Sequence, residues 1–196
     1  MQASSTQASA LIGQHVPTFE TNATNNKDVH FAKLRGYQSV LVFYSQNNTP
    51  PATALLQDFA EHYLSFKAIK TCVFAVTHDT LQACQDYSDQ LKLPFPIIAD
   101  EADELSEWFE VHTNSSEYGE PKQIIEPSVF LIDSDGEVQK VWRTSQVQRL
   151  AHQVVEAAHV IHDDLKDSGA SLFAQQADEA AAEQSLIADL QEQFTV

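Results

Sequence analysis

Basic side chains and glycine are scarce in this chain of 196 residues, and each shortage argues against a class of protein. Eleven Lys and Arg face 28 Asp and Glu, so the formal net charge is −17, and we expect repulsion from nucleic-acid phosphates and anionic membranes. Five glycines and seven prolines are too few for a fibrous or low-complexity chain. No hydrophobic run approaches a membrane span, so neither nucleic acid nor a membrane is an expected partner.

Cysteine is also scarce. Cys72 and Cys84 form no CxxC motif and no Cys/His cluster, so the sequence predicts neither a disulfide framework nor a zinc site. The first residues lack the basic start and continuous apolar stretch of a signal peptide. We therefore expect a cytoplasmic protein, and we predict no metal and no cofactor.

What is present is ordinary globular composition, with 43% hydrophobic residues, and a division into three parts. Residues 1–10 are polar and read as a flexible leader, and residues 11–162 carry the folded domain. Residues 163–196 form an acidic tail with eight acids and one lysine. An apolar stripe in the tail predicts a short amphipathic helix that docks on this domain or on a protein partner, with a frayed tail as the alternative: Leu186, Ile187, Leu190 and Phe194.

Strands and helices alternate along the domain. Continuous apolar runs at 40–44 and 70–77 predict buried strands, and apolar spacings of three and four from Ala52 to Leu64 predict a helix. Asp79 is the predicted N-cap of the helix that carries Cys84. The prolines in 94–98 predict an edge-like extended segment, followed by a helix over 103–109.

Three further segments complete the pattern. Extended pieces within 16–31 predict an N-terminal hairpin, and residues 110–127 read as an irregular connection. The strands 129–132 and 138–142 flank an Asp-Gly pair that favours a tight antiparallel turn. A helix over 146–162 follows. The fold class is therefore α/β, with a central mixed sheet and helices on both faces.

Several of these pieces, taken in order, resemble a known family. They are LVFYSQNNTPPATALLQDF, VFAVTHDTLQACQDYSDQLKLPFPIIADEADELSEWFEV and SVFLIDSDGEVQKVWR. Together they resemble the peroxiredoxins (AhpC/TSA, redoxin), specifically the bacterioferritin-comigratory or Q type, over residues 11–161. The resemblance implies a thioredoxin-like fold and thiol-dependent peroxide reduction. It also implies a peroxidatic cysteine in the first turn of the helix after the Asn-Thr-Pro loop, in a pocket of proline, threonine and arginine.

The expected catalytic groups are mostly replaced. Thr49 stands where the family has its threonine, but the peroxidatic cysteine aligns with Ala52, which has no nucleophile. Ser45 replaces the loop proline, and Pro51 replaces the glycine before the cysteine. The arginine aligns with Pro127, and a shift of one residue in either direction supplies no positive charge. Three departures besides the missing cysteine argue against an engineered trapping variant.

The sequence therefore predicts a peroxiredoxin-like protein without thiol peroxidase catalysis, retained for binding or assembly, with a homodimer as one form of assembly. The alternative is an antioxidant peroxidase or oxidoreductase that uses Cys84 or another arrangement. Cys72 lies within a buried strand, where a thiol is commonly part of the core.

The sequence does not favour two other chemistries, a metal site and a serine hydrolase. His152, His159 and His162 share one predicted helix, but HExxH is absent and solvent-facing histidines are common there. Ser45 lacks the GxSxG nucleophile elbow of a hydrolase.

Overall fold

A computed structural model describes residues 10–25, 27–117, 120–143 and 149–167. The described strands are β1 Glu20–Ala23, β2 Lys27–His30, β3 Gln38–Phe43, β4 Thr71–Thr77, β5 Ile97–Ala99, β6 His112–Glu117, β7 Glu120–Ile125, β8 Ser128–Ile132 and β9 Val138–Arg143. The helices are α1 Pro50–Glu61, α2 Tyr63–Ala68, α3 Leu81–Leu91, α4 Glu104–Trp108 and α5 Leu150–Asp167, with a short 3-10 helix at Phe31–Leu34.

Seven strands form one mixed sheet in the order β2-β1-β5-β4-β3-β8-β9. The strands β3, β4 and β5 are parallel, whereas β8 and β9 continue the sheet antiparallel on one side. The β1–β2 hairpin pairs antiparallel with β5 on the other side. This arrangement confirms the predicted mixed sheet with an N-terminal hairpin.

The sheet is covered on both faces because its central strands bury both sets of side chains. All six residues of β3 are buried, and its alternate side chains enter two separate apolar clusters. One cluster joins the sheet to α1, α2, α3 and α5. The other joins it to α4, the N-terminal segment and the residues that flank the β6–β7 hairpin. Helices on both faces are thus confirmed.

The predictions for two segments are wrong. The segment 94–98 is not an edge, because β5 lies between β1 and β4 in the sheet. Its prolines, Pro94 and Pro96, precede the strand and so remove none of its ladder hydrogen bonds. The region 110–127 is not irregular, since β6 and β7 pair there as an antiparallel hairpin over six residue pairs. Its polar side chains hide the strand pattern.

Helix boundaries also differ from prediction. The helix expected from Ala52 begins at Pro50 and ends at Glu61, and α2 is a separate helix in which Leu64 is 75% exposed. Asp79 is not the N-cap of α3. Thr80 takes that position, and its Oγ1 accepts a hydrogen bond from the Ala83 amide at 3.4 Å.

The ends of the chain are described only in part. Helix α5 continues to Asp167, and the start predicted for it at residue 146 lies outside the described residues. The leader and the apolar stripe of the tail also lie outside them, so the three-part division stays a prediction. None of the helices in the described ranges is long and apolar enough to cross a membrane.

Candidate active site

The predicted site residues meet at the carboxyl edge of the parallel strands. The loop with Ser45 and Thr49 follows β3, and α1 brings Ala52 to the same edge. Pro127 precedes β8, whose first residue, Ser128, pairs with Phe43 at the end of β3. The structure therefore brings all four positions to one edge of the sheet, where open α/β folds carry their sites.

The N-terminus of α1 is poor in hydrogen-bond donors. Thr49 is the N-cap residue, and Pro50 and Pro51 occupy the first two helical positions. Proline has no amide N–H, so two of the donors that a helix N-terminus normally offers to an anion are missing. Ala52 follows at the third position and is only 4% exposed. This helix end therefore has little capacity to stabilise a thiolate or another anion.

Two threonine hydroxyl groups form hydrogen bonds that hold the loop and the first turn of α1. The Thr49 hydroxyl donates to the Gln46 carbonyl at 3.0 Å instead of capping the helix. The Thr53 hydroxyl contacts the Thr49 carbonyl at 2.9 Å and the Tyr87 hydroxyl of α3 at 2.8 Å. The threonine that the family resemblance assigns to the pocket thus holds the loop conformation here.

Asn47 links the loop to the start of α3. Its backbone N–H donates to Asp79 Oδ2 at 2.7 Å, and its side-chain Oδ1 accepts from the Tyr44 hydroxyl at 2.7 Å. Its Nδ2 lies 3.7 Å from the Cys84 sulfur, which in turn lies 3.7 Å from the Asp79 carbonyl. Tyr44, Cys84 and Asn47 are all buried. They form a closed polar network beneath the loop.

Cys84 is a thiol of the core. It is fully buried in the apolar cluster that also contains Ala52. Its pKa is raised to about 11, chiefly by burial; the hydrogen bond from Asn47 opposes the rise, and the carboxylates of Asp79 and Glu101 contribute to it. At neutral pH the nucleophilic thiolate is therefore a minor species.

Cys72 lies at the opposite end of the sheet. It pairs with Ser39 near the start of β3 and β4, away from the loop that follows β3. Burial raises the pKa of Cys72 to about 12. The described residues thus bring neither free thiol to the position of Ala52, and only Cys84 contacts the loop.

A positively charged residue does lie near the position where the family has its arginine, but its side chain is already hydrogen-bonded to other groups. Arg143 is the cross-strand partner of Ser128, directly after Pro127. Its guanidinium donates to the carbonyls of Glu110 at 2.7 Å and Phe109 at 3.1 Å, just after α4. It therefore satisfies main-chain acceptors on the face opposite α1.

Reasoning from sequence missed the residues that hold this edge together, namely Asn47, Asp79 and Tyr87. The loop and the start of α3 follow adjacent parallel strands, so their proximity could have been predicted from topology. Which side chains meet there could not be predicted.

The histidines of α5 that suggested a metal do not form a cluster, since no described group of three or more ligating side chains is placed to hold an ion.

The chain was compared with known proteins. A family model described as the AhpC/TSA family matches residues 12–141. Peroxiredoxin Bcp of Bacillus subtilis is 30% identical over 152 residues, which cover 78% of this chain and 95% of that protein. Peroxiredoxin Bcp of Xanthomonas campestris is 27% identical over 122 residues, covering 62% and 76% of the two chains.

Solved structures agree with the fold. The bacterioferritin comigratory protein of Xanthomonas campestris superposes with a TM-score of 0.70 at 24% identity, covering 74% of this chain and 92% of that one. A cysteine-to-serine mutant of PrxQ from Xylella fastidiosa gives a TM-score of 0.72 at 22% identity, covering 76% and 95%. The matched family model and the Bacillus relative together show that this chain belongs to the AhpC/TSA family of peroxiredoxin-like proteins.

Proposed function

We propose that this chain is a peroxiredoxin-like protein that does not catalyse thiol-dependent peroxide reduction and keeps the fold for binding or assembly. The observation that carries the proposal is Ala52 at the third position of α1, where the family resemblance places the attacking sulfur. Reduction of an O–O bond by this mechanism begins with a thiolate, and alanine supplies none. The two prolines before it and the engagement of Arg143 support the same conclusion.

Peroxide consumption by the purified chain tests this directly. With hydrogen peroxide or an alkyl hydroperoxide and a dithiol reductant, we expect turnover no faster than in a reaction without protein. A catalytically active Bcp-type relative assayed in parallel controls for the reductant. Turnover proportional to the concentration of this chain would overturn the proposal.

One observation favours a second candidate, a peroxidase or oxidoreductase that uses Cys84. This thiol contacts Asn47 of the site loop, so it is the thiol nearest to the expected pocket among the described residues. Cys84→Ser separates the candidates, with Cys72→Ser as the matched control. A peroxidase rate that disappears only in Cys84→Ser would establish the second function, and an unchanged background rate in both would remove it.

Binding partners and location are further proposals. We propose that residues 163–196, with their eight acids and apolar stripe, contact a protein partner. Homodimer formation is the second mode of assembly that we propose. Deleting 168–196 should release a captured partner without changing the oligomeric state of the chain, as measured by sedimentation equilibrium. The two free thiols fit a reducing compartment, and fractionation of cells should place the chain in the cytoplasm.

A further inference from the structure

Two histidines from separate parts of the chain lie close together on the surface, away from the site. His62 lies between α1 and α2, and His152 lies in the first turn of α5. Their ring centroids are 6.0 Å apart, with the ring planes inclined at 43°. Their side chains are 29% and 59% exposed, so an ion could reach both from solvent.

The separation suits a bridging transition-metal ion. A zinc-bound imidazole nitrogen lies about 2.0–2.1 Å from the ion, which places the ion about 3.2 Å from the ring centroid. One ion can therefore reach two rings whose centroids are up to about 6.4 Å apart. The observed 6.0 Å lies inside this limit and corresponds to an angle of about 140° at the ion. A tetrahedral angle needs a centroid separation of about 5.2 Å, which a shift of less than about 1 Å by the exposed His152 ring supplies.

One of the two rings has the outer partner that metal-bound histidines usually have. His62 Nδ1 lies 2.9 Å from the Asp58 carbonyl, which can only accept a hydrogen bond, so Nδ1 carries the proton and Nε2 keeps its lone pair. A ligating histidine commonly donates its other N–H to a carbonyl in this way. His152 Nε2 lies 3.5 Å from Glu156 Oε1, a contact between two exposed side chains that leaves either nitrogen of this ring able to bind an ion.

The surrounding structure fixes one half of the pair. Asp58 Oδ2 accepts a hydrogen bond from the Ala151 amide at 2.9 Å, and this bond fastens the start of α5 to the end of α1. His152 is the next residue after Ala151, so the same bond holds the backbone of His152 close to the end of α1. His62 is hydrogen-bonded to the main-chain carbonyl of the same Asp58, so one residue positions both His62 and the backbone that carries His152.

From these contacts we propose that His62 and His152 bind a divalent transition-metal ion such as Zn²⁺ or Ni²⁺. The described residues offer no third ligand already in place. Water completes the coordination, or Glu156 does so after a change of rotamer. Two nitrogen ligands with water favour Zn²⁺ and Ni²⁺ over Mg²⁺, which prefers oxygen ligands. The site is independent of the proposed function, because none of its residues lies at the edge that carries Ala52.

Calorimetric titration of the full chain, free of any histidine tag, tests the site. We expect saturable one-site binding of Zn²⁺ and Ni²⁺ and no heat from Mg²⁺. His62→Gln and His152→Gln should each weaken binding at least tenfold, whereas the matched control His159→Gln, an exposed position on the same helix, should leave it unchanged.

A second measurement keeps the test decisive if His62→Gln fails to fold. Because His152 is largely exposed, His152→Gln should retain the native circular dichroism spectrum, and loss of binding in that variant alone supports the site. Substoichiometric Ni²⁺ should broaden the imidazole NMR signals of His62 and His152 before those of other histidines. Absence of saturable binding, or equal affinity in wild type and His152→Gln, would refute the proposal.

Discussion

Placing a thiol at position 52 with Ala52→Cys tests whether the surroundings of this position can support a reactive cysteine. A free thiol has a pKa of about 8.5, so about 3% of it is thiolate at pH 7. A pKa of about 6, inside the range of activated cysteines, would give about 90% thiolate and so about 30 times more nucleophile. The two pKa values therefore predict reactivities of the introduced thiol at pH 7 that differ about 30-fold.

The structure predicts the lower of the two reactivities. Pro50 and Pro51 remove two amide donors from the helix N-terminus, and position 52 is almost fully buried. Burial disfavours the charged thiolate. We therefore expect the introduced thiol to titrate at or above about pH 8.5 and to consume peroxide no faster than a free thiol does.

Alkylation by iodoacetamide across pH 5 to 10, read by peptide mass spectrometry, separates the introduced thiol from Cys72 and Cys84. The matched variant adds Pro51→Gly and Pro127→Arg to Ala52→Cys, returning one amide donor and one positive charge. Its midpoint should lie lower and its peroxide consumption should rise. An alkylation midpoint below pH 7 together with efficient turnover in Ala52→Cys alone would refute the reasoning, because the other departures would then be harmless.

Three further predictions concern stability and are measured by urea unfolding. Burial raises the pKa of Cys84 to about 11, so the unfolded thiol ionises first and the free energy of unfolding should fall between pH 9 and 11. The buried Cys72 thiol, whose pKa is raised to about 12, contributes to the same fall, so Cys84→Ser should lessen the fall without abolishing it, and an unchanged slope would contradict the prediction. Asn47→Ala should cost about 1–3 kcal/mol, since it leaves buried partners unsatisfied; a neutral effect would show that water replaces it. Gly136→Ala and Gly36→Ala should each cost about 1–2 kcal/mol, because φ is 78° and 91° at these positions and the flexible Arg35 side chain near Gly136 can turn away from an added methyl group. A loss at Gly136 several times larger than at Gly36 would show that the Arg35 side chain cannot move.

Sequence predicts well those elements whose own residues show how they are buried. The run that forms β3 is apolar throughout because both faces of that strand are covered, and the pattern could be read without coordinates. The turn before β9 follows from Gly136, which adopts a positive φ that other residues disfavour. The hairpin β6–β7 was missed because its polar sequence shows no alternation, and two buried residues next to or within it, Val111 and Ile125, connect it to the core.

The candidate site shows the same difference between features that sequence order fixes and features that depend on the folded structure. The family resemblance placed Thr49 and Ala52 correctly relative to the helix start, because sequence order alone fixes them. The contact of Asn47 with Cys84 depends on how the loop after β3 bends toward α3, which no local pattern encodes. Asp79 was expected to cap the helix, yet its carboxylate binds the loop amide instead. Short polar residues can satisfy either role, so only the fold decides between them.

Under the proposed function, the alanine at position 52 and the scarcity of hydrogen-bond donors around it indicate the same change in electrostatics. A chain that had lost only its cysteine would keep the groups that stabilise an anion at the start of the helix. Here Pro51 lacks an amide proton, Arg143 is bound to main-chain carbonyls, and Asp79 adds a negative charge nearby. The missing amide proton and the nearby carboxylate raise the free energy of an anion at this edge, and the guanidinium of Arg143 donates its hydrogen bonds elsewhere. The edge is therefore better suited to contact a neutral or positively charged partner than to hold an ionised thiol or a negatively charged substrate.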